Sequence, residues 1–137
     1  MALLNKIDET TNVVTWFEIP VAKIDRAQKF YETILDIKMV RHVEEQEQAA
    51  FFPYNPQVIQ ATSGRITGVL VQSASNKPSS NGTMVYLNAS PTLQCVLDKV
   101  EHAGGKVVLP KTSIPAGFIA IIIDSEGNSR VGLHAEE

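Results

Sequence analysis

The sequence predicts an α+β domain of two tandem β-α-β-β-β modules whose mixed sheets enclose a cleft. Three observations lead to this fold class. Residues 73–82, rich in serine, asparagine, glycine and proline, read as a linker between two parts of similar size. Both parts repeat one order of strand and helix patterns, module one over about 13–72 and module two over about 83–135. Equivalent points are evenly separated, with 68 residues from Trp16 to Met84.

Module one begins with a predicted strand over residues 13–21, a β-branched and aromatic run that is interrupted at Pro20. An amphipathic helix follows, because apolar residues recur at the spacing of one helix face. These residues are Ile24, Ala27, Tyr31 and Ile34. Three further apolar stretches are predicted strands: 38–43, 49–52 and 66–71. Module one therefore has the order β-α-β-β-β.

Module two repeats this order, beginning with a predicted strand over residues 83–89. Ser90-Pro91 predicts the start of a helix and Gly104-Gly105 its end, because serine caps helices and glycine leaves them at positive φ. The apolar face of this helix is Leu93, Val96, Val100 and Ala103. The remaining predicted strands are 106–109, 118–123 and 130–134.

Composition limits the classes of partner and compartment. The chain has 137 residues with a net charge of −3 and no cluster of Lys and Arg, which argues against nucleic acid as a partner. The longest apolar run, residues 118–123, is far shorter than the ~18 residues of a membrane span, so no membrane partner is expected. The single cysteine, Cys95, excludes an intrachain disulfide and favours the reducing cytoplasm. We expect its thiol to be buried as a small apolar group.

Two segments carry a resemblance to a known family. They are the predicted helix sequence Ala27-Gln-Lys-Phe-Tyr-Glu-Thr-Ile-Leu35 and the closing Asp124-Ser-Glu-Gly-Asn with Val131-Gly-Leu133. Together with the duplication, they resemble the vicinal-oxygen-chelate superfamily of glyoxalases, bleomycin-resistance proteins and dioxygenases, over about residues 13–135. Within it, the sequence is most similar to small proteins described as lactoylglutathione-lyase-related, a description of ancestry more than of reaction.

The resemblance implies where a metal site would lie. Family metal sites take one ligand from the first strand and one from the last strand of each module, usually His or Gln and then Glu. The repeat places these positions at Trp16, Val69, Met84 and Gly132, none of which can bind a divalent cation. A register shift of two residues on each strand brings only Glu18 and His134 as possible ligands, which is too few for a secure site. We therefore predict no metal and no cofactor.

The alternation of side chains along strands predicts which residues line the cleft. Aromatic walls, a sulfur and a bare glycine floor with a few polar groups are typical of a site for a small organic molecule. The predicted ligand-binding residues are Trp16, Met84, Tyr86, Asn88, Arg130 and Gly132, with Tyr54 on a proline-stiffened loop that could close over the cleft mouth.

Two titratable residues on the same strand faces are candidates for catalysis. Glu18 beside indole and phenol groups would be partly desolvated, which would raise its pKa and suit it as a general base. His134 would be the partner acid. The alternative is that Glu18 pairs with Arg130 or hydrogen-bonds to Tyr86, and that His134, near the end of the chain, is frayed and solvated.

Three functions remain open at this level. The first is a metal-free protein that binds a small organic molecule, aromatic or hydrophobic. The second is a metal-independent enzyme that uses Glu18, with His134, for proton transfer. The third is a metal-dependent lyase or isomerase of the glyoxalase type, which would need ligands that the repeat does not supply. A homodimer is expected, because each module leaves sheet edges exposed.

Overall fold

The computed structural model describes residues 7–59 and 64–137. Module one contains β1 (Trp16–Pro20), α1 (Ile24–Leu35), β2 (Val40–Val43), β3 (Glu47–Phe51) and β4 (Thr67–Ser73). Module two contains β5 (Val85–Asn88), α2 (Leu93–Val100), β6 (Lys106–Ile114), β7 (Gly117–Ile123) and β8 (Val131–Ala135). The predicted α+β fold class and the β-α-β-β-β order of both modules are confirmed.

Each module forms one mixed sheet of four strands. The strand orders are β1-β4-β3-β2 in sheet one and β5-β8-β7-β6 in sheet two. The first strand of each module lies parallel to the last strand, and the other neighbours are antiparallel. This register pairs Glu18 with Val69 in sheet one and Tyr86 with Gly132 in sheet two.

The two helices bury the faces that their periodicity predicts. The α1 residues Ile24, Ala27, Tyr31 and Ile34 are buried, and Phe30 joins them. Helix α2 differs from prediction at its start, because Thr92 is the N-cap residue and the Glu137 carboxylate accepts the Leu93 N–H at 2.9 Å. The expected burial of Cys95 is wrong. The buried face of α2 is formed by Leu93, Val96, Leu97 and Val100, and Cys95 lies outside it.

A single apolar core joins the two modules through their helices. It includes residues from the inner faces of both sheets, such as Leu70 from β4 and Leu133 from β8. Helix α1 contacts helix α2, whereas no strand of sheet one contacts a strand of sheet two within residues 7–59 and 64–137. Both sheets therefore turn their helix-bearing faces toward a common centre, and their other faces point away from it.

The segment 124–128, Asp-Ser-Glu-Gly-Asn, joins module two to module one through hydrogen bonds and an ion pair. The Glu126 carboxylate accepts the backbone N–H groups of Ala22 and Lys23 at 3.0 and 2.8 Å, next to the start of α1, and forms an ion pair with Arg26 at 2.7 Å. Burial alone would raise the pKa of Glu126, but these donors outweigh it and hold that pKa below its ordinary value. The Asn128 amide donates to the Pro20 carbonyl at 2.7 Å.

No helix in the described ranges is long and apolar enough to cross a membrane.

Candidate functional site

Each sheet has one face without helices, called here the free face of sheet one and the free face of sheet two. Phe17 and Ile19 of β1 pack on the core, so Trp16 and Glu18 lie on the free face of sheet one. In sheet two, β5 places Leu87 in the core. The free face of sheet two therefore carries the β5 residues Tyr86 and Asn88 with their partners Gly132 and His134.

Three aromatic side chains form a row on the free face of sheet one. The ring centroids of Trp16 and Phe51 are 5.8 Å apart, and those of Phe51 and Tyr54 are 6.3 Å apart. Trp16 is 43% exposed and Tyr54 is 54% exposed. A small cluster of buried apolar residues on the same sheet, Ala49, Val69 and Val71, packs with Phe51. We call Trp16, Phe51 and Tyr54 the aromatic row.

The loop that carries Tyr54 is held onto the sheet. The Thr67 hydroxyl of β4 is buried and lies 3.2 Å from the Phe52 carbonyl and 3.0 Å from the Pro53 carbonyl, to which it donates. Tyr54 thereby lies beside Phe51 at one end of the aromatic row. Phe51 was not among the predicted site residues, although the alternation of Ala49, Ala50 and Phe51 along β3 is a signal that could have found it.

On the free face of sheet two, Tyr86 covers Gly132. A Cβ atom built on Gly132 would lie 2.4 Å from Cδ1 of the Tyr86 ring. The predicted bare glycine floor is therefore occupied by this ring, because Tyr86 and Gly132 are direct neighbours on parallel strands. Tyr86 itself remains 46% exposed on its outer side.

Asn88 and His134 each have a local partner. The Asn88 side-chain oxygen accepts the Ser90 N–H at 2.9 Å, and His134 Nε2 lies 2.8 Å from the Ala116 carbonyl. His134 is part of strand β8 and is half-buried, so the alternative of a frayed end is wrong.

Glu18 and Arg130 line one cavity of about 450 Å³ between the modules. Arg130 Nε donates to the Gly82 carbonyl at 3.1 Å. The Glu18 side chain is exposed and forms no hydrogen bond or ion pair with any described residue. The alternative pairing of Glu18 with Arg130 or Tyr86 is therefore not found. Met84 is half-buried and lies just before β5.

The predicted site residues thus fall into separate groups. Trp16 and Tyr54 belong to the aromatic row, Glu18 and Arg130 share the cavity between the modules, and Tyr86, Asn88, Gly132 and His134 lie on the free face of sheet two. Neither the aromatic row nor Tyr86, Gly132 and His134 line the cavity that holds Glu18 and Arg130.

The side chains on these strands do not fit a divalent cation. The adjacent strands β1 and β4 offer Glu18 opposite Val69, and β5 and β8 offer Tyr86 opposite Gly132. Glu18 and, on the other sheet, His134 are the possible ligands on these strands, and two are too few for the several nitrogen, oxygen or thiolate donors that such ions require. In the part of the chain that is described, no group of three or more His, Cys, Asp or Glu residues could hold a metal ion.

Two duplicated modules with a helix-lined core and an exposed aromatic face define a βαβββ protein with a candidate small-molecule site. The family model described as the Glyoxalase/Bleomycin resistance protein/Dioxygenase superfamily matches residues 13–131. The chain belongs to this superfamily. A comparison with curated protein sequences gave no match.

Solved structures share the fold at low sequence identity. Glyoxalase I from Zea mays is 20% identical with a TM-score of 0.64, over 88% of this chain and 45% of that chain, so this chain spans under half of the maize protein. TnmS3, an antibiotic binding protein from Streptomyces sp. CB03234, is 18% identical with a TM-score of 0.64, over 92% of this chain and 97% of that chain. A glyoxalase-related enzyme from Fulvimarina pelagi is 14% identical with a TM-score of 0.57, over 88% of this chain and 87% of that chain.

Proposed function

We propose that the protein binds a planar, largely apolar organic molecule on the aromatic row. The observation that carries this proposal is the exposure of Trp16 and Tyr54 on either side of Phe51, on a sheet face without metal-ligand chemistry. Clustered exposed apolar side chains on a soluble protein mark an interaction site, and aromatic rings favour flat partners. The likeness to an antibiotic binding protein of nearly the same length supports binding as the function.

Binding is favoured over proton transfer by the arrangement of the two candidate catalytic residues. Glu18 and His134 lie on different sheets of one chain, and no strand of sheet one contacts sheet two in the described ranges. The His134 ring is also engaged with the Ala116 carbonyl. A general acid and base must both reach the reacting atoms, which these two cannot do within one chain. In a cleft shared by two copies, the contact with the Ala116 carbonyl would still hold the His134 ring.

The first test measures binding of the neutral fluorescent probe N-phenyl-1-naphthylamine. We expect Trp16→Ala to weaken its binding by about tenfold, because the substitution removes a stacking surface from the row. The matched control is Val108→Ala, which truncates an exposed apolar residue of β6 away from the row. Fluorescence titration gives both affinities, and equal binding by Trp16→Ala and the native protein would contradict the proposal.

We further propose that the binding cleft is completed by a second copy of the chain. The accessible surface is 8839 Å², about a quarter more than the roughly 7,000 Å² of a compact monomer of 15.0 kDa. The size of this excess is comparable with the roughly 1,000–2,500 Å² that each subunit buries in an obligate dimer. The exposed Trp16 and Tyr86 lie on the surfaces that such a partner would cover.

The orientation of the free faces supports a particular pairing. Because both sheets pack their inner faces on one core, the free faces of one chain point away from each other. A two-fold axis can place the free face of sheet one against the free face of sheet two of the partner, and the same contact then recurs once more. Each of the two clefts would take Trp16 from one copy and Tyr86 from the other.

A mixing experiment tests this shared cleft. Trp16→Ala and Tyr86→Ala homodimers should each bind the naphthylamine probe poorly. After the two variants are unfolded, mixed in equal amounts and refolded, about a quarter of the clefts should be intact, since half of the dimers are mixed and each has one native cleft. Light scattering should give twice the mass of one chain. A monomeric mass, or no recovery of binding on mixing, would refute the shared cleft.

A further inference from the structure

The cavity between the modules holds charged groups that the aromatic row does not use. It lies where β1 approaches the start of β5 and β8, and residues of the linker between the modules form part of its wall. Ile19, Val85 and Val131 provide apolar lining. Its ionisable residues are Glu18, Lys77 and Arg130, so positive charges outnumber negative ones.

The Arg130 guanidinium is held in a way that leaves its outer donors available. Its Nε atom donates to the Gly82 carbonyl at 3.1 Å, and its two terminal nitrogens have no acceptor among the described residues. A guanidinium is always charged and binds a carboxylate or sulfonate through two parallel hydrogen bonds. Fixing one side of the group by a backbone carbonyl reduces the entropy that is lost when an anion binds.

The wall beside Arg130 is joined to module one and to the linker by hydrogen bonds. Asn128 is buried, and its amide donates to the Pro20 carbonyl at 2.7 Å and to Asp124 at 2.9 Å. Its side-chain oxygen accepts the Ser79 N–H at 3.1 Å, which ties the linker to module two. All the hydrogen-bonding groups of this amide are used within the protein. Asn128 therefore shapes the cavity and leaves recognition of a ligand to its neighbours.

Strand β1 carries one residue of the cavity wall and one residue of the aromatic row. Glu18 lines the cavity, and Trp16 lies two residues earlier on the same face of the strand. Two residues of a strand span about 6.7 Å, which is close to the width of a fused two-ring system. A flat molecule on Trp16 can therefore place a substituent in the cavity.

We infer that the ligand is an aromatic acid whose carboxylate or sulfonate group binds Arg130 while its rings lie on the aromatic row. This inference rests on the proposed function and adds the charge of the ligand. Lys77 contributes a second positive charge. Glu18 has no partner in the described residues, and its negative charge opposes the binding of an anion. Removing that charge should therefore favour an anionic probe.

The experiment uses two probes that differ by one group. N-phenyl-1-naphthylamine is neutral, and 8-anilinonaphthalene-1-sulfonate has the same ring skeleton with an added sulfonate. The readout is the ratio of sulfonate-probe affinity to neutral-probe affinity for the native protein and its variants. We expect Arg130→Gln to lower this ratio by about tenfold, because a charge-assisted bidentate contact is lost. Glu18→Gln should raise the ratio, since it removes a negative charge near the anion.

Matched variants separate recognition from general charge. Lys29→Gln removes a positive charge from the exposed surface of α1 and should leave the ratio unchanged. Arg130→Lys keeps the charge without the planar fork and should fall between Arg130→Gln and the native protein. A ratio that is the same in Arg130→Gln and the native protein would overturn the inference. Failure of the neutral probe to bind would instead overturn the proposed function, while sulfonate binding that depends on Arg130 would still support the acid site.

Discussion

Replacing Asp124 with alanine should lower the free energy of unfolding by about 3–5 kcal/mol, a large part of the total stability of a small domain, because buried donors lose their acceptor. Asp124 is 3% exposed, and its carboxylate accepts four hydrogen bonds. They come from the Tyr31 hydroxyl at 2.7 Å, the backbone N–H groups of Glu126 and Asn128 at 2.8 and 2.9 Å, and the Asn128 amide at 2.9 Å. Alanine removes the acceptor of all four bonds and leaves the buried Tyr31 hydroxyl and the buried Asn128 backbone N–H without one.

The severity of this change follows from where the donors lie. Tyr31 is fully buried in the shared core, and burial, followed by the charge of Asp124, raises its pKa well above the ordinary value, so the hydroxyl keeps its proton. An unpaired buried hydroxyl costs more free energy than a hydrogen bond contributes when it is made. Because Tyr31 belongs to α1 and Asp124 to module two, the loss also weakens the junction between the modules.

Denaturation in urea or guanidinium, followed by circular dichroism, measures this effect. Tyr31→Phe should cost less than Asp124→Ala, since it removes one donor together with one bond to the carboxylate. Asp98→Ala is the control, because Asp98 is an exposed residue of α2 that accepts one hydrogen bond from Gln94. Its unfolding midpoint should change little. Equal midpoints for Asp124→Ala and Asp98→Ala would show that the 124–128 segment does not hold the modules together.

The fold could be predicted from the sequence because both modules carry the same order of strand and helix patterns. Apolar spacing located both helix faces, including Tyr31 and Val100, and the strands of both modules. Side-chain alternation predicted that Trp16 and Tyr86 share the open side of their strands, and the structure places both on the free faces, opposite the core residues Ile19 and Leu87. Each of these predictions uses residues that are close in sequence, where backbone geometry alone decides which side chains share a face.

The relation between the modules could not be predicted in the same way. Whether two sheets turn their free faces toward each other or away depends on contacts between residues about 100 positions apart, such as Glu126 with Arg26 and Asn128 with Pro20. The closing segment 124–128 indicated the family resemblance. That it also joins module two to module one could be seen only once the position of α1 was known. A signal was present in Tyr31, whose hydroxyl on a buried helix face needs a partner from another element.

Site residues were missed or misjudged where packing between neighbouring strands decides the outcome. Phe51 lies on the free face by the alternation of β3, yet only the register of β3 with β4 brings it between Trp16 and Tyr54. The space over Gly132 was predicted to be open, because a glycine adds no side chain. The register of β5 with β8 instead places the ring of Tyr86 over Gly132, where it fills that space.

Gly68 and Gly132, each on the last strand of its module, should respond differently to alanine because they lie on opposite faces of their sheets. Gly68 on β4 lies beneath the Phe17 ring, and Gly132 on β8 lies beneath the Tyr86 ring. A Cβ atom at Gly68 would approach the Phe17 ring to 2.6 Å, and one at Gly132 would approach the Tyr86 ring to 2.4 Å. Neither glycine has a positive φ, so the difference between the two variants comes from packing and not from backbone strain.

Gly68→Ala should lower the free energy of unfolding by about 2 kcal/mol, because Phe17 packs against the core and its ring has little space to move. Gly132→Ala should cost less than about 1 kcal/mol, since Tyr86 is half exposed and can rotate its ring outward. Rotation would change the surface that faces the ligand, so Gly132→Ala should weaken binding of N-phenyl-1-naphthylamine about fivefold, whereas Gly68→Ala should leave the probe affinity of the folded protein near the native value. Denaturation and fluorescence titration of both variants test whether Gly68→Ala mainly lowers stability and Gly132→Ala mainly lowers probe affinity. If Gly132→Ala instead lost stability and kept its affinity, Tyr86 would be a structural residue, and the free face of sheet two would have no part in binding.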